Sequence, residues 1–198
     1  MKKLILMVLA IALPAVAIAA PKVGSVAPDF ELTNHNGEAV SLSDYRGKTV
    51  VLEWTNHQCP YVVKHYSSGN MQGLQKKYTD QGVVWLSVIS SAPGKQGYLD
   101  AEQAVAVSAE QQSHRTHLLM DPEGTVGKIY TAKTTPHMYV VDGEGILQYM
   151  GAIDSEASAD PATLKTATNY VDVVLPQVIA GEATSYTATR PYGCSVKY

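Results

Sequence analysis

Apolar and polar positions along this chain fall in short blocks whose period switches between that of a strand and that of a helix. Thr49-Val50-Val51-Leu52-Glu53-Trp54 is β-branched and nearly all apolar, the mark of a buried strand, and Val83 to Ile89 reads the same way. The first run stops at Thr55-Asn56-His57-Gln58, after which Cys59-Pro60 opens a segment with apolar residues at the helical spacing Val62, Val63, Tyr66. Pro60 suits a first helical turn, where its missing N–H is not needed. Ser67-Ser68-Gly69-Asn70 kinks or interrupts that helix before Met71 to Tyr78 continues it. Asp100-Ala101-Glu102-Gln103 has the form of a capping box and predicts a helix to about Gln112. His117 to Met120 reads as a strand and Thr125 to Tyr130 as a short helix. Met138 to Val141 and Ile146 to Tyr149 are strands joined by the turn Asp142-Gly143-Glu144-Gly145. Pro161 then opens a long amphipathic helix to about Ala180. This order predicts an α/β fold, a mixed sheet with helices on both faces, parallel at the early crossovers and antiparallel at the hairpin edge.

The N-terminus follows another pattern. Lys2 and Lys3 precede an apolar run from Leu4 to Ile18, and Ala17-Ile18-Ala19 supplies the small-x-small pattern of a signal-peptidase site. We expect residues 1–19 to be a cleaved signal peptide, because the run is short for a membrane span of about 20 residues. The expected location is periplasmic or secreted, with no stable membrane insertion after cleavage. Residues 20–198 are then one domain with a full core, ending in an irregular tail from about residue 182. The chain carries 15 basic and 18 acidic residues and no dense basic run, which argues against nucleic acid as a partner.

Cys59 and Cys194 are the two cysteines, in a compartment where disulfides form. Cys59 stands after a strand at a predicted helix N-terminus, where free N–H groups and the helix dipole favour the reactive thiolate. His57, Lys64 and His65 are close in sequence and can add positive charge or hydrogen bonds. Such a thiolate attacks a disulfide or a peroxide, and in the second case the sulfenic acid must be resolved by another thiol. Cys194, in Arg190-Pro191-Tyr192-Gly193-Cys194, is the candidate resolving thiol, on a tail able to reach or leave the site. Two plainer readings stay open: Cys59 as an inert core cysteine, and a permanent Cys59–Cys194 bridge closing a long loop, worth about 4–5 kcal/mol.

Several segments together resemble the peroxiredoxin-like branch of the thioredoxin superfamily, which includes alkyl hydroperoxide reductase and thiol-specific antioxidant proteins. They are Gly24-Ser25-Val26-Ala27-Pro28-Asp29-Phe30-Glu31-Leu32, Gly37, Leu42-Ser43-Asp44-Tyr45-Arg46-Gly47-Lys48, the strand ending at Trp54, and Cys59-Pro60. Thr135-Pro136 resembles a cis-proline loop, and Asp142-Gly143-Glu144-Gly145 with Gly151 fits the following hairpin, so the likeness runs from Val23 to Asp154. It implies a thioredoxin-like fold, a thiol-dependent antioxidant or disulfide oxidoreductase without a cofactor, an external thiol as reductant, and a cis Thr135–Pro136 bond beside Cys59. Trp54, Asn56, His57, Pro60, Lys64, Thr135, Pro136 and His137 are the expected supporting residues. Three positions depart from the pattern: Val62 stands where a thioredoxin has its second cysteine, Asn56 where a peroxiredoxin has threonine, and Pro136 near the place of its arginine. A fast peroxidase therefore does not follow. The likeness also brings His137 towards Cys59 and His57, and one thiolate with two imidazoles suits copper or zinc, which makes a metal-binding protein the alternative. A non-catalytic binding module is the third reading.

Overall fold

The computed structural model describes residues 20–198, so the expected signal peptide lies outside the described residues. Nine strands and five α-helices follow in order: β1 (Glu31–Asn34), β2 (Ala39–Ser41), β3 (Val50–Trp54), α1 (Pro60–Ser67), α2 (Asn70–Thr79), β4 (Val84–Ile89), α3 (Ala101–Glu110), β5 (His117–Met120), α4 (Thr125–Ile129), β6 (Thr134–Thr135), β7 (His137–Val141), β8 (Leu147–Gly151), α5 (Tyr170–Ile179) and β9 (Cys194–Ser195). Seven strands form one mixed sheet in the order β2-β1-β5-β4-β3-β7-β8. β3 is central, parallel to β4 and antiparallel to β7, and β4 is parallel to β5. Every residue of β3, β4 and β7 is buried, which explains why these strands read as continuous apolar runs.

Alternation along the strands divides the core in two. Leu52, Trp54, Leu86, Val88 and Tyr139 pack with Val126 of α4, Phe30 and Tyr130 on one face. Val51, Trp85, Met138, Val140 and Tyr149 pack on the other with Val62 and Tyr66 of α1, Met71 of α2 and Val174 of α5. Cys59 belongs to this second face. Gly69, at φ +75°, is the left-handed residue that lets α2 restart after α1 ends.

One expectation is corrected, and one hairpin is added. The helix expected from Pro161 to Ala180 is a 3-10 turn at Pro161–Lys165 followed by α5 only from Tyr170. Between them Asn169 caps α5 by accepting the Asp172 N–H (3.0 Å), while Tyr170 N–H donates to Ile153 O (3.0 Å) and Ser155 N–H to Thr168 O (3.0 Å). The Asn169 side chain and backbone groups distant in sequence thus gave this stretch partners outside a helix. The β1–β2 hairpin was not read as strands, because Glu31, Thr33, Ala39 and Ser41 leave few apolar positions in it.

On the second face Glu53 is fully buried in mid-sheet. It accepts from Trp85 Nε1 (2.8 Å), Ser87 Oγ (2.8 Å) and Tyr66 Oη (3.0 Å), with Gln75 Nε2 donating to the same Tyr66 oxygen (3.1 Å). Removing the acceptor leaves several buried donors unsatisfied, at about 1–3 kcal/mol each. Glu53→Ala should therefore lower the unfolding free energy by roughly 3 kcal/mol or more, and Glu53→Gln by less, as read from denaturant midpoints.

Candidate functional site

Cys59 is the N-cap of α1, with Pro60 at the first helical position as expected. Its side chain is completely buried, and its Sγ–H donates to Thr135 O at 3.1 Å. The Thr135–Pro136 bond is cis and lies against Cys59, as the likeness implied. Thr135 is in turn the β-sheet partner of Cys194, through the short antiparallel pair β6–β9. Gly193 makes this approach feasible: it has φ +131°, and a Cβ there would fall 2.1 Å from Thr135 O. Both cysteines are free thiols, Cys59 buried and Cys194 partly exposed.

Burial disfavours a charge on Cys59, yet its pKa is lowered, because donors converge on the sulfur: the Cys194 thiol, the Thr135 side chain, and the backbone N–H groups of Cys194 and Val62. The Val62 amide hydrogen-bonds Cys59 O (2.9 Å) and faces the sulfur as a member of the first helical turn. Thr135 Oγ1 is buried without a hydrogen-bond partner beside the neutral thiol, so it is free to donate to a thiolate. Cys194 behaves in the opposite way. Burial, its hydrogen bond to Cys59 and the Cys59 charge raise it to about 11, against a smaller opposing effect of Lys197. The arrangement holds one stabilised thiolate and, beside it, one thiol that keeps its proton.

Charge from neighbouring side chains plays no part, contrary to the sequence reading. None of the groups acting on Cys59 is a cation. Lys64 is fully buried and ion-paired with Asp154 Oδ2 (3.2 Å), and also donates to Glu156 O (3.1 Å) and Tyr192 Oη (3.3 Å). His65 accepts from Asn70 Nδ2 (2.8 Å), and its Nε2 lies 3.7 Å from Asp154; burial, opposed by Asp154, lowers it to about 4. His57 lines a groove of about 240 Å³ with Val63, Tyr66, Glu110 and Gln111, away from the sulfur. His137, opposite Trp54 in the β3–β7 register, packs against Tyr139 (ring centroids 4.5 Å) on the first face of the sheet. Burial and Lys133 lower it to about 3. His57, Cys59 and His137 are therefore not brought together, and among the described residues no three His, Cys, Asp or Glu side chains cluster as a metal site. Trp54 also faces away, packing on Tyr130 and Tyr139 and donating from Nε1 to Ser90 Oγ (3.0 Å). Asn56 clasps a loop, donating to Gln96 O (3.2 Å) and accepting from Gln58 N–H (2.9 Å).

Sequence reasoning assigned no role to Tyr192 or Asp154. Tyr192 Oη donates to Asp154 Oδ1, and its ring packs edge-on against Tyr61 of α1 (5.8 Å). This fastens the tail two residues before Cys194. Beyond Cys194, Val196 N–H donates to Lys133 O (3.1 Å) and Ala92 N–H to Lys197 O (2.8 Å). Tyr198 Oη reaches Ala132 O (2.8 Å), over Gly124 and Gly127, where any Cβ would meet its ring. The tail is held on both sides of the thiol. The sequence signal for this was the pair Tyr192 and Tyr198 on either side of the second cysteine.

Residues 23–150 match the AhpC/TSA family. Among curated proteins the chain is 30% identical over 125 residues to the thioredoxin-like protein YneN of Bacillus subtilis (strain 168), covering 63% of this chain and 68% of that one. It is 30% identical over 126 residues to the thiol-disulfide oxidoreductase ResA of the same strain, covering 58% of this chain and 70% of ResA. The crystal structure of an uncharacterized conserved protein from Geobacillus kaustophilus superposes with a TM-score of 0.78 at 24% identity, covering 89% of this chain and 92% of that one.

Thr135→Val keeps the shape of the side chain and removes the unpartnered hydroxyl. A hydrogen bond to a charged group contributes about 1.5–3 kcal/mol, and each 1.36 kcal/mol is about one pKa unit, so the Cys59 pKa should rise by roughly one to two units in a thiolate-absorbance titration. The two buried imidazoles give a second expectation. Their folded pKa values lie below the ordinary 6.5, so their neutral forms stabilise the fold fully above about pH 6.5, and this is lost as pH falls towards about 4 for His65 and 3 for His137. At pH 5 each should contribute about 2 kcal/mol less than at pH 7. His137→Gln should remove about half of that acid sensitivity, as measured by denaturant unfolding at the two pH values.

Proposed function

Because the chain belongs to the AhpC/TSA family, we propose that it is an exported thiol–disulfide oxidoreductase that works through a Cys59–Cys194 couple, with Cys59 as the thiolate nucleophile. The observation that carries this reading is the pairing of Cys194 with Thr135, which sets the second thiol against the first. Deprotonated Cys59 attacks Cys194 when that sulfur is already bonded to another group: the internal disulfide forms, and the other group leaves as a thiolate. The reverse step opens the couple. The external partner is a thiol or disulfide, and no cofactor takes part. The name of ResA supports this class of reaction for its relative.

A disulfide fits better than a peroxide as the substrate. Cys59 is buried, no cation acts on it, and Asn56 stands where a peroxiredoxin has its threonine and Pro136 near the place of its arginine. Export rests on the leader pattern Lys2-Lys3, Leu4 to Ile18 and Ala17-Ile18-Ala19. Among the described residues no helix is long and apolar enough to cross a membrane.

Turnover with an external disulfide and a thiol reductant tests the reading. Cys59→Ser should abolish it. In Cys59→Ser the external group should stay trapped on Cys194 as a mixed disulfide, and Cys194→Ser should lower turnover by about a hundredfold or more, the usual consequence of replacing a tethered partner with one from solution. Full activity of Cys59→Ser would refute the proposal.

A further inference from the structure

The sulfur with the stabilised thiolate is the one that solvent does not reach. Cys59 has no exposed surface, whereas Cys194 above it is partly exposed. Displacement at sulfur requires the attacking thiolate to arrive in line with the bond that breaks, on the side opposite the leaving sulfur. Attack on Cys59 would have to approach through the second core layer, to which Cys59 belongs with Val62, Tyr66, Met71 and Met138 and where it has no exposed surface. Cys194, by contrast, offers an accessible surface to an incoming thiolate. A groove of about 570 Å³ adjoins this part of the tail, lined by Tyr170, Thr189, Arg190 and Gly193 among others.

Freeing Cys59 by lifting the tail would break contacts on both sides of Cys194. Upstream, Tyr192 is bonded to Asp154 and Lys64, and Thr189 Oγ1 accepts from Ala152 N–H (3.0 Å). Downstream, Val196 and Lys197 are hydrogen-bonded to Lys133 and Ala92, and Tyr198 to Ala132. The closed arrangement is therefore the one that a partner meets.

On these grounds, and resting on the Cys59–Cys194 couple proposed above, we infer that external thiols and disulfides exchange with this protein at Cys194, while Cys59 serves as the internal leaving group and resolving thiolate. In the oxidised protein, an external thiolate attacks Cys194 Sγ. A bond forms between the external sulfur and Cys194, the Cys59–Cys194 bond breaks, and its electron pair leaves on Cys59. The donors from Thr135, Val62 and Cys194 receive the new charge. A second external thiolate then attacks the external sulfur of the mixed disulfide. This releases an external disulfide and leaves Cys194 as a thiolate that takes a proton from water. Two external thiols are oxidised and the protein disulfide is reduced to two thiols, and reduction of an external disulfide runs the same steps backwards. Leaving-group chemistry favours the same direction, because the lower-pKa thiol departs faster and Cys59 lies well below Cys194, which stands at about 11.

The test uses the full mature chain, oxidised with diamide and then mixed with less than one equivalent of reduced glutathione, acid-quenched at short times and mapped by peptide mass spectrometry. Glutathione should be found on Cys194 at least about tenfold more than on Cys59, with Cys59 released as a free thiol. Glutathione mainly on Cys59, equally on both, or on neither while the disulfide disappears would overturn the inference and leave the couple itself standing. If diamide produces no Cys59–Cys194 disulfide at all, the couple fails, and this inference with it.

Discussion

The ammonium group of Lys64 is wholly buried, where an unpaired charge costs several kcal/mol. It is tolerated because Asp154 pairs with it and Glu156 O and Tyr192 Oη complete its hydrogen bonds. This one ion pair joins three parts of the fold. Lys64 lies on the helix that Cys59 opens, Asp154 follows the β7–β8 hairpin, and Tyr192 belongs to the tail that brings Cys194. Removing Asp154 would take the partner from both the ammonium and the Tyr192 hydroxyl, and so would loosen the tail. The placing of the second thiol is thus tied to a charge that must stay paired.

Once the tail is docked, the chemistry of Cys59 depends on hydrogen-bond donors rather than on cations. A buried thiol ordinarily has a raised pKa, because the thiolate loses hydration. Here two backbone N–H groups, a threonine hydroxyl and the partner thiol replace that hydration, and two of the four come from Cys194 itself. The Cys59 thiolate is therefore stabilised by the residue proposed as its disulfide partner. Thiolate stabilisation and the closed tail are one state, and what loosens the tail also raises the pKa of Cys59.

The two faces of the sheet keep distinct roles. His137 and Trp54 follow or end strands beside the cis-proline loop and the Cys59 loop, yet both point into the tyrosine-rich face with Tyr130 and Tyr139. Cys59 and Met138 point to the other. Because side chains alternate along a strand, a residue next to Pro136 in sequence can be separated from the sulfur by the whole thickness of the sheet. That parity removes the imidazole–thiolate arrangement which sequence proximity suggested.

Much of this protein was legible in its sequence, because the signals concerned are local. Continuous apolar runs marked β3, β4 and β7, Asp100 with Gln103 marked the start of α3, and Cys59-Pro60 marked the start of α1. Thr135-Pro136 marked the cis bond through the likeness to known folds. Where local preferences were weak, as in the polar β1–β2 hairpin and the stretch from Thr166 to Asn169, contacts distant in sequence decided the structure. The site shows the same division. The sequence determined that there are two thiols, one of them at a helix start. Only the tertiary structure decided that Cys194 lies on Thr135, that Lys64 serves Asp154 instead of Cys59, and that the low-pKa sulfur is the hidden one. Each of these depends on burial and on partners remote in sequence, and the linear order of residues carries neither.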